Sequence, residues 1–333
     1  KNSLNSIIVS FGETLWDLLP TGPELGGAPL NFAYRTKSLG HRSTIISRLG
    51  KDDLGHNARE HLVALGMDDT GLQWDNTYPT GTVEIYFDEN KNPDYTIIEN
   101  VAYDHIELSA SLANIVEHAD CLCFGTVAQR KSVSRRTLQH LLSKFSGIFR
   151  LLDINLRKNC YSEEILKSSL KAANILKLND EELTVLVDLF GLQGDSVPDQ
   201  TELLLRHADL KYCVVTLGER GAFALSNRGE KIYSPGYRAR LVDPCGSGDG
   251  FAAGFIHALL EGQSLKQACR IGNALGAMVA QQAGATQPIS FGETLAFMEA
   301  GPPGIVDKNL ADYLGSGPKD FFEMASSREG RKI

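Results

Sequence analysis

DPCGSGDGFAAGFIHALLEG, residues 243–262, is the stretch that says most about the fold. The Gly-Ser-Gly run at 246–248 does not suit a stable helix, whereas the apolar residues from 251 to 260 have helical spacing. A turn that opens into a helix leaves backbone N–H groups unpaired, and the helix dipole adds about half a positive charge there. The pattern therefore predicts a binding site for an anion, formed by residues 243–248, the anion turn.

Asp249 follows the anion turn in the predicted first turn of the helix. Its carboxylate suits two roles, a helix cap or a base toward a bound hydroxyl, and the local sequence does not choose between them. A dinucleotide-binding fingerprint belongs after the first strand and reads G-x-G-x-x-G, so a dehydrogenase is not favoured. No Walker A box is present, since the Gly50-Lys51 pair is followed by Asp.

Outward from this stretch, apolar runs rich in β-branched residues alternate with helical stretches. SIIVSFG, STIISRLG, DCLCFG, IFRLLDIN, ILKLN and CVVTLG are typical of buried strands, and the helices between them include those expected near 132–144, 163–173 and 181–189. GAFALSN and EKIYSPG indicate an antiparallel edge. The chain is therefore predicted to be α/β, with a mainly parallel sheet flanked by helices on both faces.

A second pattern occupies residues 81–100, GTVEIYFDENKNPDYTIIEN, where apolar and polar residues alternate around a turn-rich centre. We expect a hairpin that forms a flap with the segment after the first strand, over about 13–25 and 80–105. Its outer apolar positions, including Val83, Ile85, Phe87 and Ile97, predict a homodimer through the flap. Residues 1–300 are predicted to be one domain, and 301–333 a loosely attached C-terminal extension.

Composition excludes several classes of protein. The chain has 33 Lys and Arg against 41 Asp and Glu, so its net charge of -8 makes nucleic acid and anionic membranes poor partners. The longest uncharged run, 271–292, contains several amide side chains and reads as a buried helix and loop rather than a membrane span. Six sparse cysteines predict free thiols, and Cys121 and Cys123 suit strand packing better than a metal site. The first residues lack the apolar stretch of a secretory signal, so a cytoplasmic location is expected.

Two signatures resemble those of ribokinase-like sugar kinases of the PfkB family. DPCGSGDGFAAGF is similar to the family's D-T-x-G-A-G-D-x-F-x-x-G-F, and GGAPLNFAYRTKSLG with SRLGKDDLGHNARE resembles its N-terminal signature. NDEE (179–182), VVTLGERGAF (214–223) and NALGAMVA (273–280) resemble further family motifs and occur in the expected order. The resemblance covers residues 6 to about 295 and implies a ribokinase-like fold.

The resemblance implies phosphoryl transfer from ATP to a sugar hydroxyl. Asp249 would take the proton, and the amides of Gly246, Ser247 and Gly248 would hold the transferring charge. The turn departs from the family pattern at Pro244, Cys245, Ser247 and Gly250, but the Gly-x-Gly-Asp skeleton is kept. These departures lie beside Asp243, where many relatives bind a monovalent cation such as K⁺.

The nucleotide end is also implied by the resemblance. Asn179 and Glu182 would act on Mg²⁺ through water, although an Asn helix cap with an acidic first turn fits the local sequence equally well. The residues implied to bind the nucleotide are Asn179, Glu182, Thr216, Gly218, Gly221 and Asn273.

The sugar end is implied to include Asp17, Gly27 and Asn31, which would bind hydroxyls. Without the resemblance, Asp17 could equally be an exposed turn residue before Pro20. Arg157 of DINLR can reach the sugar or the phosphoryl group. GETLWD, GGAPLNFAY, PTGTVEI and YTIIENVAYDHI are most similar to fructokinases.

Other sugar kinases stay open as alternatives. Ribokinase comes first among them, followed by other ketose or keto-deoxy-acid kinases. A non-catalytic sugar-binding regulator would lose the base or the anion turn, and this chain keeps both.

Overall fold

A computed structural model describes residues 5–87, 93–301 and 304–314. The strands are β1 Ile7–Phe11, β2 Leu15–Leu19, β3 Gly22–Gly26, β4 Arg42–Gly50, β5 Leu72–Asp75, β6 Gly81–Phe87, β7 Pro93–Ile97, β8 Cys121–Phe124, β9 Phe149–Asp153, β10 Ile175–Asn179, β11 Tyr212–Thr216, β12 Ala222–Ser226 and β13 Lys231–Ser234. The helices are α1 Ala28–Ser38, α2 Asp53–Ala64, α3 Ala110–Glu117, α4 Ser132–Lys144, α5 Glu163–Ala172, α6 Asp180–Leu189, α7 Val197–His207, α8 Ser247–Leu260, α9 Leu265–Ala280 and α10 Phe291–Ala300.

The main sheet has the order β13-β12-β11-β10-β9-β8-β1-β4-β5. Its strand pairs from β11 to β5 are parallel, while β12 and β13 pair antiparallel at one edge, as predicted. β1 lies between β4 and β8. The chain therefore first adds β4 and β5 on one side of β1, and later adds β8 and the strands after it on the other side. Open α/β sheets bind ligands at such a reversal, beyond the carboxyl ends of the strands.

Helices cover both faces of this sheet, because its strands are apolar on both sides. Cys121 and Cys123 of β8 pack in a core cluster with α8 and α9, whereas Leu122 and Phe124 belong to the cluster on the opposite face. The prediction that the two cysteines serve strand packing is confirmed. All six cysteines of the chain are free thiols.

The predicted flap is a separate sheet with the order β3-β2-β6-β7. β6 and β7 form the expected antiparallel hairpin, with Val83 opposite Ile97. The expectation that Val83 faces outward is wrong: it is 8% exposed and belongs to the core cluster, and Ile97 packs partly against the same cluster. The alternating pattern shows that a strand has two faces, but not which one is covered. The side chains of Ile85 and Phe87 lie outside the described residues.

The C-terminal extension departs from expectation over residues 304–314. Leu310 is 2% exposed in the core, and the Asp307 carboxylate lies 2.7 Å from the Arg220 guanidinium. The Gly304 N–H donates to the Gly236 carbonyl. This part of the extension is firmly packed rather than loosely attached, because its Leu310 supplies apolar surface to the sheet edge; 315–333 lie outside the described residues.

The uncharged run at 271–292 forms the end of α9 and the loop after it, as predicted, together with the first two residues of α10. Across the parts of the chain that the structure describes, no helix is long and apolar enough to cross a membrane.

Candidate active site

The anion turn leads into α8 through Gly246, which has φ 75° and is the N-cap residue. A Cβ there would lie 2.4 Å from the Ala285 Cβ, so the position needs glycine both for its backbone and for space. The helix begins at Ser247, so the expectation that Ser247 and Gly248 lie outside it is wrong. One residue in the left-handed conformation, Gly246, is enough to redirect the chain into the start of the helix.

The N–H groups of this turn are not equivalent. Ser247 donates both its N–H and its hydroxyl to the Pro244 carbonyl, at 3.2 and 2.8 Å, so its hydroxyl is turned away from a ligand. Within the described residues, the N–H groups of Gly246 and Gly248 have no protein acceptor. These two amides are therefore available to an anion, while Ser247 shapes the turn.

Asp249 lies in the first turn of α8 but does not cap it, because Gly246 occupies the N-cap position without a side-chain bond. Its carboxylate is buried, and Oδ2 accepts a hydrogen bond of 2.8 Å from the Asn31 Nδ2 of α1. Burial raises the pKa of Asp249, and the nearby Lys177 ammonium and the Asn31 hydrogen bond oppose that rise. The cap interpretation is thus wrong, and a buried carboxylate with a raised pKa suits a general base.

Lys177 was not predicted from the sequence. Its ammonium is buried and lies 3.0 and 3.2 Å from the two carboxylate oxygens of Asp153. A Cβ on Gly248 would lie 3.0 Å from the Lys177 Nζ, so the cation adjoins the anion turn. Burial opposes its charge, but Asp153, Asp249 and Glu182 outweigh it and raise the pKa of Lys177. The available signal was a lysine inside the apolar run ILKLN.

Two adjacent glycines lead into α1 at the other side of the site. A Cβ on Gly26 would lie 2.7 Å from the Asp17 Oδ2, and one on Gly27 would lie 2.3 Å from the Glu13 carbonyl oxygen. Gly27 also has φ 116°. The pair therefore allows α1 to begin beside the Asp17 carboxylate, with Asn31 in its first turn aimed at Asp249.

Asp17 lies in strand β2 opposite Glu24, so it is not the exposed turn residue that the sequence left open. Burial raises the pKa of Asp17 to about 6, with Glu24 and Asp243 adding to the effect and Arg157 opposing it. Arg157 is exposed on the loop after β9. Its positive charge favours the ionised form of Asp17, and its role in sugar binding stays a prediction.

Glu13 is a second residue that sequence reasoning missed. It is 6% exposed, and it lines a small crevice with Asp153, Cys123 and Thr126 at the carboxyl ends of β1, β8 and β9. Burial raises the pKa of Glu13 to about 7; Arg157 opposes this rise and Asp249 adds to it. The crevice is where the sheet order reverses, so Glu13 lies at the expected ligand position of the fold.

Arg130 anchors the base of the flap to the main domain. Its guanidinium is bound to the Asp104 carboxylate at 2.8 Å and donates to the Ile98 carbonyl at 2.6 Å. A cavity of about 170 Å³ lies beside it, between β7 and the loop 158–160, and Glu99 and Lys158 line it. The flap therefore meets the main domain at a polar cavity. Arg157 immediately precedes the loop 158–160 that lines this cavity.

Asn179 and Glu182 form a capping box at the start of α6. The Asn179 Oδ1 accepts from the Glu182 N–H at 2.7 Å, and the Glu182 Oε2 accepts from the Asn179 N–H at 2.9 Å. The Glu182 Oε1 accepts from the Leu156 N–H. Because backbone donors hold both carboxylate oxygens, these residues suit water-mediated rather than direct contact with Mg²⁺. In the described part of the chain, no group of three or more His, Cys, Asp or Glu could hold a metal.

The remaining predicted nucleotide residues form the edge beyond β11. Thr216 ends this strand, and Gly218 and Gly221 have φ 59° and 94° in the turn that follows. A Cβ on Gly221 would lie 2.0 Å from the Ser234 carbonyl oxygen, so only glycine fits there. Asn273 donates its amide N–H groups to Ser234 and Pro235, and these contacts hold α9 against the end of β13. The contact of its amide with a nucleotide stays a prediction.

Hydrogen bonds from within the chain reach both carboxylate oxygens of Asp243. Its Oδ1 accepts from the Cys245 N–H at 2.9 Å and its Oδ2 from the Gly284 N–H at 3.0 Å. The Ala280 carbonyl accepts from the N–H groups of Val242 and Asp243. The carbonyls of residues 285 and 287, on the same loop as Gly284, accept from an arginine side chain. Internal donors thus already reach the carboxylate of Asp243 and the carbonyls of Ala280, Ala285 and Gln287.

Together these groups can move a proton and stabilise developing negative charge. A buried carboxylate, two available amides and a buried ammonium meet at the start of α8, while hydrogen-bonding groups for a polyol lie at the start of α1 and in β2. Such an arrangement suits transfer of an anionic group to a hydroxyl.

Comparison with known proteins agrees with this chemistry. The pfkB family carbohydrate kinase profile matches residues 21–291. Probable fructokinase-4 of Arabidopsis thaliana is 30% identical over 314 residues, which cover 86% of this chain and 94% of that protein.

Solved structures show the same fold. An uncharacterized sugar kinase of Pyrococcus horikoshii, crystallised with ATP, is 26% identical and has a TM-score of 0.73. The match covers 88% of this chain and 98% of that chain. A fructokinase of Vibrio cholerae O395 with fructose, ADP and calcium has a TM-score of 0.75 and 24% identity, with 89% of this chain and all of that chain covered. The predicted ribokinase-like fold is confirmed.

Proposed function

The chain belongs to the pfkB family of carbohydrate kinases, and on that premise we propose that it is a fructokinase, which transfers the γ-phosphoryl group of ATP to a hydroxymethyl group of fructose. ATP-dependent sugar phosphorylation is the activity of this family, and fructose is the specific proposal. The observation that carries the catalytic assignment is the buried Asp249, bound to Asn31 of one glycine-opened helix and located in the first turn of another.

In the proposed reaction, the sugar hydroxyl oxygen attacks the γ-phosphorus as the bond to the β-phosphate oxygen breaks and ADP leaves. Asp249 accepts the hydroxyl proton, and the Asn31 amide fixes the direction of its carboxylate. The amides of Gly246 and Gly248 stabilise the charge on the transferring group. The Lys177 ammonium, which balances the charge of Asp153, lies beside Gly248 at the same place.

Mg²⁺ bound with ATP would neutralise charge on the β- and γ-phosphates. Asn179 and Glu182 would hold this ion through water, since the Glu182 oxygens are already bound to backbone N–H groups. Thr216, Gly218 and Gly221 would contact the nucleotide beside them. Because Asp153 is paired with Lys177, its charge is compensated and does not repel the phosphates.

At the sugar end, Asp17 and Arg157 would bind hydroxyls, and Gly27 would let the sugar approach the start of α1. The flap would close over the sugar and exclude water from the phosphoryl group. Ribose, ketoses other than fructose and keto-deoxy acids are the alternative substrates, and they would use the same groups.

The proposal is tested by coupled measurement of ADP release with purified protein, MgATP and a panel of fructose, ribose, tagatose, nucleosides and keto-deoxy acids. We expect kcat/KM for fructose to exceed that for ribose at least about tenfold. A better substrate elsewhere in the panel would reassign the sugar and keep the mechanism. Stabilisation by sugar without turnover would instead indicate a binding protein.

A homodimer through the flap and a cytoplasmic location belong to the same proposal. The flap sheet ends in β3 and β7, and Tyr95 on β7 is 57% exposed. Unpaired edge strands favour association with another sheet. Light scattering at high protein concentration tests the dimer, and a strictly monomeric mass would contradict it. The free thiols support a reducing compartment.

A further inference from the structure

Arg35 of α1 is a fully buried cation, with 0% of its surface exposed. Its Nη1 donates to the Gln287 carbonyl and its Nη2 to the Ala285 carbonyl, each at 2.6 Å. Among the described residues, no carboxylate forms an ion pair with it, and its Nε has no hydrogen-bond partner. A buried guanidinium without a carboxylate is costly, so it needs an explanation beyond packing.

The two carbonyls belong to the loop that supports the anion turn. Ala285 contacts this turn directly, since a Cβ on Gly246 would lie 2.4 Å from its own Cβ. The neighbouring Gly284 N–H donates to the Asp243 carboxylate at 3.0 Å. The loop 284–287 is therefore bound by the Arg35 guanidinium, and the same loop contacts Gly246 and Asp243 of the anion turn.

The same helix also holds the catalytic base. Asn31 precedes Arg35 by four residues, so both lie on one face of α1, and Asn31 donates to Asp249. Burial lowers the pKa of Arg35 to about 10, with Tyr34 and Asp249 opposing the shift, so the side chain is protonated at neutral pH. A fixed positive charge is thus present behind the anion turn whenever the fold is formed.

We propose that Arg35 is a resident cation that takes the place of an exchangeable monovalent cation beneath the anion turn, so that turnover does not require K⁺. A K⁺ ion and a guanidinium would serve the same purpose here, because each binds carbonyl oxygens and fixes the loop beneath the phosphate. Internal donors already reach the Asp243 carboxylate, Arg35 itself binds the Ala285 and Gln287 carbonyls, and its guanidinium supplies the charge. This inference rests on the proposed kinase activity for its kinetic test.

The first test compares wild-type kcat in KCl, NaCl and choline chloride at equal ionic strength, with MgATP and the best sugar of the panel. We expect values within about twofold of one another. Stimulation by K⁺ of more than about fivefold would overturn the proposal. A readout that needs no turnover is the melting temperature with ADP, which we expect to be equal in K⁺ and choline; a rise in K⁺ alone would also overturn it.

The second test replaces the cation. Arg35→Met should lower kcat about 10- to 100-fold, while the sugar KM changes less than about threefold, because Arg35 positions the anion turn and does not touch the sugar. Arg35→Lys should recover part of kcat, and Arg42→Met, at an exposed arginine of β4, is the matched control. Unchanged kcat in Arg35→Met would contradict the role.

Because Arg35→Met removes a buried group, its fold is checked by circular dichroism. If it does not fold, the role of Arg35 is tested by kcat of Arg35→Lys, and the independence from K⁺ is tested by the wild-type ion series. If no sugar is phosphorylated in any salt, the proposed function fails, and the melting temperatures with ADP still test the cation.

Discussion

The phosphate end and the sugar end of the site are built on different parts of the fold. The phosphate end consists of buried groups on elements of the main sheet and its helices: Asp249, Lys177 and Asp153 are each less than 10% exposed. The sugar end uses the half-buried Asp17 of the small flap sheet and the exposed Arg157 of a loop. In the proposed mechanism the chemical step therefore depends on buried groups of the core, whereas the choice of sugar depends on less buried groups of the flap and a loop.

The largest effect is expected at the phosphate end. Asp249→Asn should lower kcat by about 10²- to 10⁴-fold, because the proton acceptor is lost, while sugar and ATP still bind. Steady-state kinetics with calorimetric binding of both ligands measures this, and Asp188→Asn on the exposed face of α6 is the control. Activity within a few-fold of wild type would remove Asp249 from the mechanism.

The Lys177–Asp153 pair is expected to affect stability as well as rate. Lys177→Met leaves a buried carboxylate without its partner and should cost about 3 kcal/mol in the free energy of unfolding. The double variant Lys177→Met/Asp153→Asn should recover much of that loss but not kcat, because the charge at the anion turn is still missing. Denaturant unfolding and turnover of the same samples separate the two effects. Full recovery of kcat in the double variant would show that Lys177 has only a structural role.

At the sugar end, Asp17→Asn should raise the sugar KM about 10- to 30-fold and leave the ATP KM unchanged, since a single recognition contact is weakened. The pKa of Asp17 is raised to about 6, so the wild-type sugar KM should rise as the pH falls through 6 and the carboxylate becomes protonated. The variant should lose this pH dependence. An equal rise in the ATP KM would mean that the two ends have been assigned the wrong way round.

Glu13 interacts electrostatically with Asp249 of the phosphate end and Arg157 of the sugar end. Its replacement should have the smallest effect, and that effect should be on the free energy of unfolding. Since burial raises its pKa from 4.5 to about 7, its contribution to folding is largest below pH 4.5 and is lost as the pH rises through 7. Glu13→Gln avoids that loss and should be more stable than wild type at pH 8 by about 1–2 kcal/mol, but not at pH 4.5. Thermal melts at both pH values test this, with Glu60→Gln on the exposed face of α2 as control. A gain of equal size at both values would assign the effect to packing.

The sequence predicted the elements that depend on local patterns. The alternation of apolar strands and helices gave the parallel sheet with its antiparallel edge, and the Gly-x-Gly-Asp skeleton located the anion turn. It missed the tight packing of residues 304–314 and the inward side of Val83, because a pattern marks an apolar face without naming what covers it.

The sequence alone predicted the fold class, because short-range periodicity reveals strands and helices. Resemblance to family motifs indicated the family and the candidate residues Asp249, Asp17 and Asn31. Only the tertiary structure decided that Asp249 is buried and hydrogen-bonded rather than a cap, and that Lys177, Glu13 and Arg35 lie near it. Each of these groups is defined by partners far along the chain: Asn31 meets Asp249 across 218 residues, and Arg35 meets Ala285 across 250. A buried charge is stabilised by whichever groups the folded chain brings to it, and local sequence carries no record of that choice.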